Sequence, residues 1–404
     1  MVGGRTFTCT SIFTIVEFPY MNESLKLFDE FERTDTAPAN YEESLFDALN
    51  HLSWNNATEI RSTMEDWFSE YPEINKKDLQ SRFRSKQDSS HQGAFFELVL
   101  FKLLRELGYQ LTVNHPTPLG TPDFLACASS GERFFLDATI AQPKTFRDSP
   151  SEKVVFDAVN KMDCSDFSLC IKTRGELKSI PPKNKIRQIQ DWIYSLDYEK
   201  IRTDLTIGLQ LPEYRLEHGG WTLIIEALPR SPEKRGTKPH RPIGIGPMHV
   251  DTVDSVKPLV QAVRAKAHKY RGLRDPFVVA VNALDLAGVD RTDTLEALFG
   301  WESSTDDQNV SRIAAPQGVS KKDHVWDKNK NTSVSAVLLF DELQHSNMAS
   351  SRLCIYENPW ALYLSPTSLR KLAHGLVQGD FLSWYQGESL GNLLHLPEGW
   401  PGPK

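Results

Sequence analysis

The chain has no CxxC pair: its 5 cysteines, Cys9, Cys127, Cys164, Cys170 and Cys354, are odd in number and widely scattered. That excludes a zinc knuckle, argues against a disulfide framework and fits a reducing compartment. No stretch approaches the roughly 20 apolar residues that a membrane-spanning helix needs. Residues 6–16 (TFTCTSIFTIV) follow Arg5, but Thr and Ser interrupt them, Glu17 follows and no small-residue cleavage site is evident. The expectation is a cytoplasmic protein with no membrane association. Nor is there an excess of positive charge, since 46 Lys and Arg stand against 53 Asp and Glu, a net charge of -7. The whole chain would repel nucleic acid unless its cations are clustered. Walker A, HExxH and GxSxG patterns are absent, which removes the common NTPase, zinc-protease and serine-hydrolase classes. The glycine-rich IGIGP at 243–247 lacks GxGxxG spacing and is expected to be a strand or turn. No helix-turn-helix, zinc-finger or RNA-recognition signature occurs.

What is present is a 40% apolar chain of 404 residues, enough for two or three structural units around a substantial core. Residues 1–88 read as a helical N-terminal subdomain, with short helices ESLKLFDEFE, YEESLFDALNHL and ATEIRSTMEDWFSEY between Pro, Asn and Thr breaks. Residues 89–301 read as an α/β core with insertions. It opens with the helix GAFFELVLFKLLREL, closed by Gly108, and continues with three strand-type runs, YQLTVN, PDFLACA and RFFLDATIA. Helices SEKVVFDAVNKM, KIRQIQDWIYSL and VDSVKPLVQAVRAKAHKY then mix with strands FSLCIKT, GWTLIIEALP, IGIGPMHV and PFVVAVNAL. This mixture predicts an α/β fold with a mixed central sheet flanked by helices. Residues 302–332 have few apolar positions and no period, and are expected to be a long surface loop. Residues 333–404 read as an α/β extension packed on the core, with strands VSAVLLF and RLCIYENPWALYL and a helix SPTSLRKLAHGLVQ opening at a Ser cap.

Three carboxylates stand out. Glu97 has Gly93, Leu100, Phe101 and Leu104 as its helical neighbours, which places a charge inside an apolar stripe. Such a charge needs a metal, a hydrogen-bond network or an arginine from elsewhere in the chain. Asp123 and Asp137 are equidistant from the SSGE turn near Ser130, so a hairpin register sets them opposite one another, roughly 5 Å apart at Cβ. Like charges that close are destabilising unless a cation bridges them or one is protonated. Oxygen-only ligands suit Mg²⁺ or Mn²⁺ rather than Zn²⁺.

An inward Glu on a helix, then PD, then an acidic residue two before a polar one resembles the PD-(D/E)xK nuclease superfamily over about 50 residues, Gly93 to Gln142. The resemblance implies a restriction-endonuclease-like core and a metal site of Glu97, Asp123 and Asp137 that activates water for phosphodiester hydrolysis. It also implies a lysine at position 139, where this chain has Thr139. Thr139 itself, Gln142, Lys144 and Lys153 are the candidates for that role. The wider sequence, including GAFFEL, PDF, DAT and GWTLIIEALPRSPEKRG, is similar to bacterial proteins whose likeness adds no activity.

Positive charge concentrates in 172–187, 230–241 and 264–274. From these, Lys183, Lys185, Arg187, Lys234, Arg235, Lys238, Arg241 and Lys266 are the candidate phosphate contacts, although solvated surface is the ordinary role of such runs. The expectation is a Mg²⁺- or Mn²⁺-dependent nuclease acting on DNA rather than RNA, for which bacterial defence is a fitting setting. The alternative is a catalytically inactive nuclease-like module that binds nucleic acid or a partner protein; a homodimer is also open.

Overall fold

The computed structural model describes residues 25–143, 149–237, 241–249, 254–284, 286, 289–300, 310–313 and 323–403. Helices α1 (Leu45–His51), α2 (Asn55–Ser69) and α3 (Glu73–Phe83) lead into α4 (Asp88–Glu106). From Ala94 to Leu104, α4 is apolar on nearly every side, and a helix of that kind belongs in an interior. Each of its buried Leu and Phe side chains contributes about 1.5–3 kcal/mol of burial. That total lets the helix carry one buried charge.

Strands β1 (Gln110–Val113), β2 (Phe124–Cys127) and β3 (Arg133–Ala141) follow. Next come α5 (Pro150–Asn160), β4 (Phe167–Arg174), α6 (Lys183–Ser195), α7 (Tyr198–Thr206), β5 (Glu213–His218), β6 (Trp221–Pro229) and β7 (Ile243–His249). The chain continues through α8 (Val256–Lys269), β8 (Phe277–Ala283), α9 (Arg291–Phe299), β9 (Val310–Arg312), β10 (Ala336–Asp341), β11 (Arg352–Glu357), β12 (Ala373–Gln378), β13 (Phe381–Tyr385) and α10 (Leu390–Leu393).

These strands form a nine-stranded mixed sheet ordered β1-β2-β3-β8-β10-β11-β12-β13-β9, and a second sheet ordered β5-β6-β4-β7. The protein is thus mixed α/β, with a large mixed sheet flanked by helices. In the large sheet β3, β8 and β10 run parallel. All of β8 is buried, as a central strand covered on both faces must be. Leu136 and Val278 point into the core formed with α1 to α4, whereas Phe135 and Val279 point to the opposite core under α8 and α9. The second sheet lies in the chain between β3 and α8 and has its own core, with α5 and α6 packed on Leu169, Ile171 and Ile225. Residues 333–404 contribute β10 to β13 to the large sheet itself.

Three expectations need correction. The described part of ESLKLFDEFE is not helical. SPTSLRKLAHGLVQ is no helix either: a 3-10 turn, Thr367–Lys371, leads into β12, which pairs with β11 and β13. Pairing overrides the local helix pattern there, and a Cβ at Gly375 would lie 2.7 Å from a Leu382 methyl. Within 302–332, Val310–Arg312 form β9, while Val325 and Trp326 are fully buried and donate to the Ala297 and Leu298 carbonyls at 2.8 Å each. Residues 302–309 and 314–322, like the 6–16 run, lie outside the described residues. Helices α3, α7, α9 and α10 and strands β5 and β13 lie outside the runs that the sequence pattern marks.

Candidate active site

Glu97 is where the α4 pattern puts it, 4% exposed. Both of its oxygens are engaged. The Tyr71 hydroxyl donates to Oε1 at 2.5 Å, and Arg82 Nη2 lies 2.8 Å from Oε2. Burial, then the Glu97 charge, push the Tyr71 pKa above its ordinary value. Burial works against the Arg82 charge, but Glu97 and Asp78 more than offset it, so that its pKa is raised. Of the partners the sequence left open, arginine and a hydrogen-bond network are those observed.

The hairpin sets the other two carboxylates. Pairing of Phe124 with Leu136 and of Cys127 with Arg133 continues the register in which Asp123 stands opposite Asp137. Gly120, at φ +126, turns the chain into β2 where a side chain would crowd Lys269 and Tyr270. The Asp123 N–H donates to Asp137 Oδ1 at 3.3 Å, and the Ala138 N–H donates to Asp123 Oδ2 at 2.7 Å. Each carboxylate therefore retains one oxygen. Asp137, 1% exposed, turns Oδ2 toward Lys266 Nζ at 2.7 Å, an ion pair whose direction is not that of a hydrogen bond, so the buried Oδ2 accepts none.

The chemistry of the pair follows. Burial first, then Asp137 and Glu97, push the Asp123 carboxyl up to about 7, against the opposing pull of the Ala138 N–H and Lys266. Burial, then Asp137 and Asp123, also raise the pKa of Tyr270. A carboxyl raised in the folded state binds more protons there than in the unfolded chain, so stability falls as pH rises from about 4 to about 7. Asp123→Asn should therefore raise the melting temperature at pH 8 in EDTA, with a gain on the order of 1–3 kcal/mol, and leave it unchanged near pH 4. Thermal melts at the two pH values check this; an equal or lower melting temperature at pH 8 contradicts it.

Glu97, Asp123, Thr139 and Gln142 line one pocket of about 440 Å³, together with Arg82, Ser89 and Gly93. Asp137 does not line this pocket: its carboxylate turns to Lys266 on α8. Among the described residues, however, no three His, Cys, Asp or Glu side chains are grouped as a ligand set, and Glu97 is turned to Arg82 and Tyr71. Lys144 lies outside the described residues, and Lys153 pairs with Asp88 at 3.2 Å. His91 meets the Phe83 carbonyl and His345, away from the carboxylates.

Lys266 was grouped by sequence with the phosphate contacts, yet it stands at Asp137. A signal for this was present, because position 266 follows Val263 by three and precedes Tyr270 by four, both buried, and so falls on the apolar stripe of its helix. Of the other candidate phosphate contacts, Lys183, Arg187 and Lys234 are exposed. Lys185 donates to the Glu217 carbonyl at 2.7 Å. Arg235 stacks on Tyr198 and pairs with Glu199 at 2.6 Å, and Arg241 donates to the Ala39 carbonyl and covers Tyr41. Within 230–241, Pro232–Lys234 form a 3-10 turn, and Lys238 lies outside the described residues. No helix among the described residues is long and apolar enough to cross a membrane.

No family model, no curated protein and no solved structure matches this chain.

Proposed function

We propose that this protein is a divalent-metal-dependent nuclease of the PD-(D/E)xK, restriction-endonuclease-like type, hydrolysing phosphodiester bonds in DNA in the cytoplasm. The observation that carries the reading is the facing pair Asp123 and buried Asp137, two carboxylates set against each other with the Lys266 ammonium at Asp137. A helix with an inward Glu followed by three consecutive strands, in the order the resemblance implies, supports it. The residues fit a cation: Asp123 Oδ1 carries no hydrogen bond or ion pair and Asp137 Oδ2 meets the Lys266 ammonium, both hard oxygen donors of the kind Mg²⁺ and Mn²⁺ take. When bound, such an ion supplies Lewis acidity and lowers the pKa of water.

The chain's own groups do the rest. Lys266, 22% exposed, supplies the positive charge that Thr139 does not, brought to β3 by α8 rather than carried on the strand. In the metal-free protein the Asp123 carboxyl is pushed up to about 7, so a cation at Oδ1 displaces its proton and binding tightens as pH rises. Cleavage assays with supercoiled, linear and single-stranded DNA and with RNA, in Mg²⁺, Mn²⁺ or EDTA, test the reading. Metal-dependent products, DNA first, are expected. No product from any substrate overturns it in favour of a binding module without chemistry, a reading favoured by the full engagement of Glu97 with Arg82 and Tyr71.

DNA contact falls to the exposed cations of α6. Lys183→Ala with Arg187→Ala should flatten the plot of log affinity against log salt by about two, close to one per lost phosphate contact, while Arg235→Ala leaves the slope unchanged. An unaltered slope in the double variant removes α6 from the interface.

A further inference from the structure

Arg82 is the one side chain of the pocket that holds a carboxylate and still faces solvent, being 34% exposed. It reaches Glu97 from α3, and the same guanidinium also bridges Asp78 one turn earlier, at 2.9 Å. Each Glu97 oxygen already has a partner while Arg82 and Tyr71 are in place, so in this state the charge of the third carboxylate is balanced by the guanidinium, which a cation would have to displace. Arg82 has the planar donor fork that phosphate oxygens bind bidentately, and it lines the pocket beside Ser89 in the first turn of α4, whose N-terminal dipole favours negative charge.

We infer that Arg82 is a phosphate-sensing gate on the metal site: a phosphodiester in the pocket takes over its guanidinium and releases Glu97 to a divalent cation beside Asp123. This rests on the metal-site reading above. A buried Glu97 deprived of its arginine is uncompensated, and a cation arriving in the same pocket restores the balance. Ligand and metal therefore bind cooperatively, and the coupling is reciprocal.

The test is a Mn²⁺ titration of the full chain with and without a phosphorothioate DNA duplex, which resists hydrolysis. In the wild type the duplex should tighten Mn²⁺ binding about five-fold or more. Arg82→Gln should bind Mn²⁺ more tightly than the wild type without DNA, and the duplex should add less than about two-fold. Should Arg82→Gln not fold, the near-isosteric Glu97→Gln serves, and it too should lose the coupling. Coupling that survives in either variant, or a wild type without coupling, overturns the gate while leaving the metal site in place. A wild type that binds no Mn²⁺ in either condition removes the metal-site reading, and the gate with it.

Discussion

Asp137→Asn is expected to abolish metal-dependent cleavage, lowering kcat by about a thousand-fold or more, with the fold retained. The size follows from Lewis-acid and water activation by a bound ion, which together amount to several kcal/mol of transition-state stabilisation, each 1.36 kcal/mol being tenfold in rate. The fold survives for reasons visible in the hairpin. Asparagine keeps the volume of a side chain that is 1% exposed, and its carbonyl oxygen can still accept the Asp123 N–H. It also removes the repulsion that raises the Asp123 carboxyl. Single-turnover cleavage beside a circular-dichroism melt measures both halves. A folded Asp137→Asn protein cleaving at the wild-type rate would falsify the role of this residue.

Lys266→Met should lower kcat by about 10²–10³, the usual consequence of removing one preorganised charge from a water-poor site. Methionine retains the apolar stem that packs along α8, so the charge is what is lost. A purely structural lysine would give a different signature. Lys266 is one of the groups drawing the Asp123 pKa down, so without it the Asp123 proton competes with the metal to higher pH and the acid limb of the pH–rate profile should move upward. DNA affinity should change little, because the ammonium is committed to Asp137. A profile that keeps its acid limb, together with a weakened duplex complex, would return Lys266 to the role of phosphate contact.

What could be read from the sequence was local. Asp123 and Asp137 were placed opposite one another by counting outward from one turn, because the side-chain period of a strand leaves little freedom once the turn is set. The burial of Glu97 followed from its neighbours on a helix. The partners of these carboxylates were not accessible in this way. Arg82 and Tyr71 reach Glu97 through the packing of α2 and α3 against α4, and Lys266 reaches Asp137 through the packing of α8 on β3. Nor was β12 accessible: its Ser cap and helix-like spacing are local signals, and the pairing with β11 and β13 that overrides them is not. Charge clustering misled for a related reason, since Arg235 and Arg241 are occupied by Glu199, Tyr198, Tyr41 and a backbone carbonyl.

The central claim is that the facing aspartates form a cation site, and calorimetric titration of Mn²⁺ at pH 8 tests it most directly. Wild-type protein should show one saturable site, and the double variant Asp123→Asn with Asp137→Asn should show none while melting at or above the wild-type temperature. Equal Mn²⁺ binding by the two proteins would contradict the account.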